Sequence, residues 1–230
     1  MKSPAAEKII VALDVPNLKE GLSLIAVLAD SVGFFKIGLQ SYTADGPALV
    51  RPASSLGKVF LDLKLHDIPN TVGKAVEAAD GLGVKMLTLH LSGGAEMIRA
   101  AVNARKSDML LLGVTVLTSS TDETLTEIGV ATSVTDQVLR LARLGVENGI
   151  DGLVASPHEA RRLRDEFGEK IKIVTPGIRP AGSAPGDQKR FTTPREAIAA
   201  GADYLVIGRP ITGAPDPKSA AEKIAAELAA

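Results

Sequence analysis

Eight short apolar runs, separated by stretches of helical character, recur along the chain and limit most strongly how it can fold. They are Ile9–Leu13, Phe34–Ile37, Val59–Leu63, Met86–Leu91, Leu110–Val116, Gly152–Ala155, Ile171–Thr175 and Tyr204–Ile207. Strands that are apolar on both faces need cover on both, and parallel neighbours need a crossover long enough to hold a helix. Segments rich in Ala, Leu, Glu and Lys fill the gaps, among them Leu18–Ala29, Thr71–Leu82, Ala95–Ala104, Thr135–Asn148 and Pro157–Phe167, and Pro217–Ala229 supplies an eighth helix. Ser156-Pro157-His158-Glu159 and Thr193-Pro194-Arg195-Glu196 read as capping boxes with proline at the first helical position.

Eight β-then-α units in 230 residues, with no Gly-x-Gly-x-x-Gly after the first run, favour a closed (β/α)8 TIM barrel in the α/β class over a doubly wound sheet. No linker rich in Pro, Gly and Ser divides the sequence, so residues 1–230 read as a single domain. Two Tyr and no Trp suit a small aliphatic interior.

Charge and cysteine content remove whole classes of function. With 26 basic and 27 acidic side chains the formal net charge is -1, which gives no long-range field for nucleic acid or an anionic membrane surface. Cysteine is absent, which excludes a disulfide framework, a thiolate metal site and a cysteine nucleophile, and fits a cytoplasmic chain best. No apolar segment approaches the ~18 residues of a membrane span, and Met1 to Lys8 does not read as a signal peptide.

Barrel chemistry collects at the C-terminal ends of the strands, so charged residues there are informative. The two-residue period puts Ile10, Ala12 and Asp14 on one face of strand one, and Lys36 closes strand two. In strand three Asp62 and Lys64 share a face, with His66 and Asp67 just beyond. Taken singly, Asp14 or Asp67 reads as a helix cap and Lys36 as a side chain reaching solvent. Together, Lys36, Asp62, Lys64 and Asp67 alternate in sign, as ions inside a barrel must if they are to be paired.

A second cluster follows the last strand at Gly208-Arg209, where barrels often bind phosphate between the loops after strands seven and eight. The preceding loop, from Pro176-Gly177-Ile178-Arg179 to Arg190, reads as a lid over an anion and carries Gln188. His66, His90 and His158 form no metal pattern, and Ser119 and Ser120 have no base partner. No metal or organic cofactor is therefore expected.

Six pieces of this sequence resemble the orotidine 5'-phosphate decarboxylase family, and between them they span nearly the whole chain. They are Ala12-Leu13-Asp14, Phe35-Lys36-Ile37-Gly38, Asp62-Leu63-Lys64-Leu65-His66-Asp67-Ile68-Pro69-Asn70-Thr71, Val114-Thr115-Val116-Leu117-Thr118-Ser119, Pro176-Gly177-Ile178-Arg179 and Ile207-Gly208-Arg209. The ten-residue piece is highly specific. The resemblance implies decarboxylation of orotidine 5'-monophosphate to UMP in pyrimidine biosynthesis, with Lys64 as proton donor to C6 and Lys36 and Asp62 in its charged network.

It also implies a homodimer in which Asp67, Ile68 and Thr71 enter the partner's site. Asp14 and Lys36 would contact the ribose, Thr118 the pyrimidine edge, and Gln188, Gly208 and Arg209 the phosphate, with Arg179 on the substrate side of its loop. Two alternatives remain open at this point. Related sugar-phosphate lyases share an Asp-x-Lys-x-x-Asp strand but use magnesium, and the His66-Asp67-Ile68-Pro69 continuation argues against them. A silent phosphate-binding barrel would gain nothing from the charged cluster.

Overall fold

The computed structural model describes residues 2–180 and 192–229. Eight parallel strands close into a barrel in sequence order: β1 (Ile9–Ala12), β2 (Phe34–Gly38), β3 (Lys58–Leu65), β4 (Met86–His90), β5 (Leu110–Val114), β6 (Gly152–Val154), β7 (Lys172–Thr175) and β8 (Tyr204–Ile207). Closure is made where β1 pairs with β8, Ile9 opposite Leu205 and Val11 opposite Ile207. Every apolar run of the sequence is a strand, with ends shifted by one or two residues. β3 extends further at its C-terminal end than its apolar run, through Asp62 and Lys64 to Leu65, whereas β5 stops at Val114.

Helices form the outer ring: α1 (Leu18–Leu28), α2 (Leu39–Asp45), α3 (Pro47–Leu56), α4 (Pro69–Asp80), α5 (Gly94–Ala104), α6 (Asp122–Glu127), α7 (Val134–Glu147), α8 (Pro157–Phe167), α9 (Pro194–Ala199), α10 (Arg209–Thr212) and α11 (Pro217–Ala229). α4 starts at Pro69, two residues before the start read from periodicity, because proline is pre-organised for the first helical turn. The Thr193 box is complete: Thr193 Oγ1 accepts from Glu196 N–H at 3.3 Å and Glu196 Oε2 accepts from Thr193 N–H at 2.9 Å. At Ser156 the Glu159 half is made, with Oε2 accepting the Ser156 N–H at 2.8 Å.

Two apolar layers result. Ile10, Phe34, Phe60, Met86, Leu112 and Val174 point inward and plug the barrel. The alternate strand residues, such as Val11, Phe35, Leu61 and Leu87, face out against helix residues including Ile25 and Val76. This alternation leaves the upper interior, above Phe60 and Met86, for polar groups.

Gly33 sits where the chain enters β2, its N–H donating to the Ile9 carbonyl at 3.0 Å, and a Cβ there would overlap the Glu7 backbone. Gly33→Ala is therefore expected to cost about 1–3 kcal/mol by overpacking and to lower Tm by several degrees in a thermal melt. An unchanged Tm would show that the Glu7 segment yields freely.

Candidate active site

The C-terminal mouth of the barrel opens into a cavity of about 520 Å³. Its apolar wall includes Phe60, Val114, Val154 and Val206, and its polar lining includes Asp14, Lys36, Asp62 and Lys64 on one side and Arg179 and Arg209 on the other. Thr118 and Gly208 line the same space.

Neighbouring strands assemble the charged side. Lys36 of β2 lies 3.6 Å from Asp62 of β3 and 3.6 Å from Asp14, and Lys64 Nζ lies 2.8 Å from Asp62 Oδ1. Thr88 of β4 donates its hydroxyl to the same Oδ1 at 3.0 Å and accepts the Lys64 backbone N–H at 2.8 Å. Burial alone would raise the Asp62 pKa, but Lys36, Lys64 and the hydrogen bonds from Lys64 and Thr88 outweigh it, so the carboxyl is held below its ordinary value of 3.8. Asp62 is thus an anion at neutral pH, shared by two ammonium groups.

The plainer readings of Asp14 and Lys36 do not hold. Asn17, not Asp14, caps α1, its side chain accepting the Glu20 N–H at 3.0 Å. The Lys36 side chain is 13% exposed and turned inward. Asp14, expected on the inward face of strand one, lies beyond the end of β1 at Ala12, in the connection to α1; it is 59% exposed and still reaches Lys36. Gly38 leaves room for that pair, because a Cβ there would stand 2.9 Å from Lys36 Nζ.

Asp67, Ile68 and Thr71 stand apart from this cavity within one chain. All three are exposed, Ile68 by 67%, and Asp67 Oδ1 accepts the Ile68 N–H at 2.7 Å. The charge order in the cavity is therefore Asp14, Lys36, Asp62, Lys64, without Asp67. Gln188 lies outside the described residues.

Two features escaped the sequence reading. Gln40 of α2 lines the cavity, and Thr88 holds the network from behind. Thr88 shares the inward face of β4 with Met86, so strand parity was the available signal.

On the opposite side Arg179 is 8% exposed; burial, and then the charge of Arg209, push its pKa below the ordinary value. Positive charge is concentrated there, as an anion site requires. His90, half-buried beside His66 with ring centroids 5.6 Å apart, is held below its ordinary value by burial and by the charges of His66 and Lys64. Among the described residues no three His, Asp or Glu gather where they could hold a metal ion.

Paired lysine and carboxylate charge on β2 and β3 shares this mouth with guanidinium groups beyond β7 and β8, and the class of the protein is a (β/α)8-barrel enzyme with a charged cavity at the C-terminal ends of its strands. Its sequence matches the model of the orotidine 5'-phosphate decarboxylase / HUMPS family over residues 7–224. A protein of Moorella thermoacetica named orotidine 5'-phosphate decarboxylase is 51% identical, over 97% of this chain and 93% of that protein. One of the same name from Rhodopseudomonas palustris strain HaA2 is 54% identical, over 97% and 95%. The crystal structure of orotidine 5'-phosphate decarboxylase from Lactobacillus acidophilus superposes with a TM-score of 0.84 at 38% identity, covering 96% of this chain and 99% of that one. The chain belongs to the orotidine 5'-phosphate decarboxylase / HUMPS family.

Removing the Asp62 charge tests the electrostatics directly. Asp62→Asn leaves two ammonium groups facing a neutral amide and is expected to cost about 2–3 kcal/mol in urea unfolding at neutral pH. Because folding lowers the Asp62 pKa, its stabilisation is present in full above the unfolded value and is lost as pH falls through the folded one. The gap between wild type and variant should be constant above about pH 5 and close progressively below pH 4. A gap independent of pH would mean that the carboxylate charge is not what is lost.

Proposed function

We propose that this enzyme is a carboxy-lyase that converts orotidine 5'-monophosphate to UMP and CO2, as a step of pyrimidine biosynthesis. The observation that carries the reading is the Lys36–Asp62–Lys64 network standing in one cavity with Arg179 and Arg209. The names of the relatives support the same substrate, whereas the family description by itself spans a second group, HUMPS.

In the proposed reaction the bond from C6 to the carboxylate breaks, CO2 departs, and the electron pair stays on C6. Loss of CO2 leaves a carbanion that the ring delocalises poorly. The Lys64 ammonium stabilises that developing charge and then gives C6 its proton, and solvent reprotonates the amine afterwards. Asp62 pairs with Lys64 and orients it, and sets negative charge beside the departing carboxylate. Arg209, Gly208 and Gln188 hold the phosphate, Asp14 and Lys36 the ribose, and Thr118 the pyrimidine edge, with Arg179 on the substrate side of its loop. Anchoring the phosphate at a distance from C6 supplies binding energy to organise the site.

We further infer a cytoplasmic homodimer, with residues 1–230 acting as one catalytic domain and Asp67, Ile68 and Thr71 reaching into the partner's cavity. Their exposure on one chain supports this reading. No metal or organic cofactor takes part in the proposed reaction.

Lys64→Ala should abolish turnover of orotidine 5'-monophosphate in a folded barrel, whereas Arg209→Ala should chiefly weaken binding of substrate and UMP. Near-normal turnover in Lys64→Ala would remove the assigned acid, and unchanged UMP affinity in Arg209→Ala would move the phosphate elsewhere. Exhaustive EDTA treatment should leave the rate unchanged; a loss restored by magnesium would favour the sugar-phosphate lyase chemistry.

The shared site is tested by refolding Lys64→Ala and Asp67→Ala chains together at equal concentration. A twofold interface gives each hybrid dimer one doubly altered site and one intact site. Random reassortment should therefore restore about a quarter of wild-type activity. Confirmed subunit exchange without recovery would show that Asp67 acts within its own chain.

A further inference from the structure

We infer that Thr88 is a positioning residue for the reaction, fixing Lys64 by closing a hydrogen-bonded ring through the Lys64 backbone and the Asp62 carboxylate. This rests on the proposed role of Lys64 as proton donor.

β3 and β4 pair regularly up to Leu61 opposite Leu87 and resume at Leu65 opposite Leu89. Residues 62–64 of β3 thus face a single residue of β4, Thr88. Such a bulge re-aims side chains and disrupts the backbone ladder. Lys64 within it has φ 50°, in the left-handed region that a non-glycine residue rarely adopts.

A distorted strand leaves its N–H groups in need of new acceptors. At Lys64 the acceptor is the Thr88 side chain: Oγ1 takes the Lys64 N–H at 2.8 Å. With a lone pair so engaged, the hydroxyl proton is directed to Asp62 Oδ1, 3.0 Å away. That same oxygen accepts from Lys64 Nζ at 2.8 Å. The ring runs from the Lys64 backbone through Thr88 and Asp62 to the ammonium of the same lysine.

Lysine has a long flexible stem with a rotatable head, so a fixed ammonium needs both its root and its tip held. Thr88 holds the root directly and the tip through Asp62. It is fully buried and does not line the cavity, so it acts without touching substrate.

Thr88→Val keeps the shape and removes the hydroxyl, whereas Thr88→Ser keeps the hydroxyl. Steady-state kinetics on orotidine 5'-monophosphate, with Tm and UMP affinity measured alongside, separate the possibilities. In Thr88→Val kcat should fall about ten- to a hundredfold with KM and UMP affinity within about twofold of wild type, because misplacing a reacting group costs chemistry more than binding. Thr88→Ser should recover most of that loss.

If Thr88→Val does not fold, Thr88→Ala and Thr88→Ser, which differ by one oxygen, carry the same comparison, and equal kcat in those two overturns the proposal. It is also overturned if Thr88→Val keeps wild-type kcat or if Thr88→Ser loses as much as Thr88→Val. Lys64→Ala is assayed in parallel: activity there would defeat the proton-donor reading itself, whereas an inactive Lys64→Ala beside a fully active Thr88→Val defeats the role of Thr88 alone.

Discussion

The inward-facing carboxylate of Asp62 is the interaction on which the rest of the site depends. Two ammonium groups, Lys36 and Lys64, and one hydroxyl, Thr88, converge on it, with the apolar plug of Ile10, Phe34, Phe60 and Met86 below. A lone charge on such a floor would neutralise rather than stay ionised. Here each lysine has a carboxylate within reach and the carboxylate has more than one donor, so Asp62 stays ionised while only partly solvated. Asp14, at the more exposed edge, balances Lys36 from the other side.

Adjacent strands of the same barrel supply this arrangement, and one of them departs from regular geometry to do so. A regular β3 would keep Lys64 in ladder with β4 and pointing at the spacing set by the pleat. At the bulge opposite Thr88, Lys64 adopts a positive φ and its ammonium lies 2.8 Å from Asp62, two residues away in sequence. Strain of this kind persists only where the surroundings over-determine it. Here the backbone N–H and the side-chain head of one lysine are both tied, and the irregularity falls within the charged network that lines the cavity.

The barrel itself was legible because buried parallel strands read as uninterrupted apolar runs, so all eight appear within a residue or two of their ends. α2 and α3 were not legible: Gly46-Pro47 punctuates the segment and Pro52 lies inside α3, so local patterning argues against the helix that packing enforces. Of the site, Lys36, Asp62, Lys64 and Arg209 announced themselves as charges at strand ends, and Arg179 as a cation on the long loop after β7. Asp67 reads with the charged cluster because it follows Lys64 closely in sequence, but it lies on an exposed turn beyond β3, and Ile68 and Thr71 were visible only through resemblance, since a two-residue period stops where the strand stops. Thr88 carried no signal of charge, and its role depends on a bulge in the neighbouring strand, which no local pattern in β4 encodes.

Under the proposed reaction, closure of the barrel explains how an anchor and a reacting centre on different strands of one mouth can act together. Arg209 follows β8, and β8 is hydrogen-bonded to β1, whose end leads directly to Asp14. A Cβ at Gly208 would lie 3.5 Å from Ala12 and 4.0 Å from Asp14, so the Gly208 turn and the charged network approach each other across this seam. In an open sheet these elements would be the two far edges. Joined edge to edge, they are held by the same backbone ladder. Under the proposed reaction, binding energy from the phosphate then goes into holding C6 against Lys64 rather than into bringing two mobile walls together.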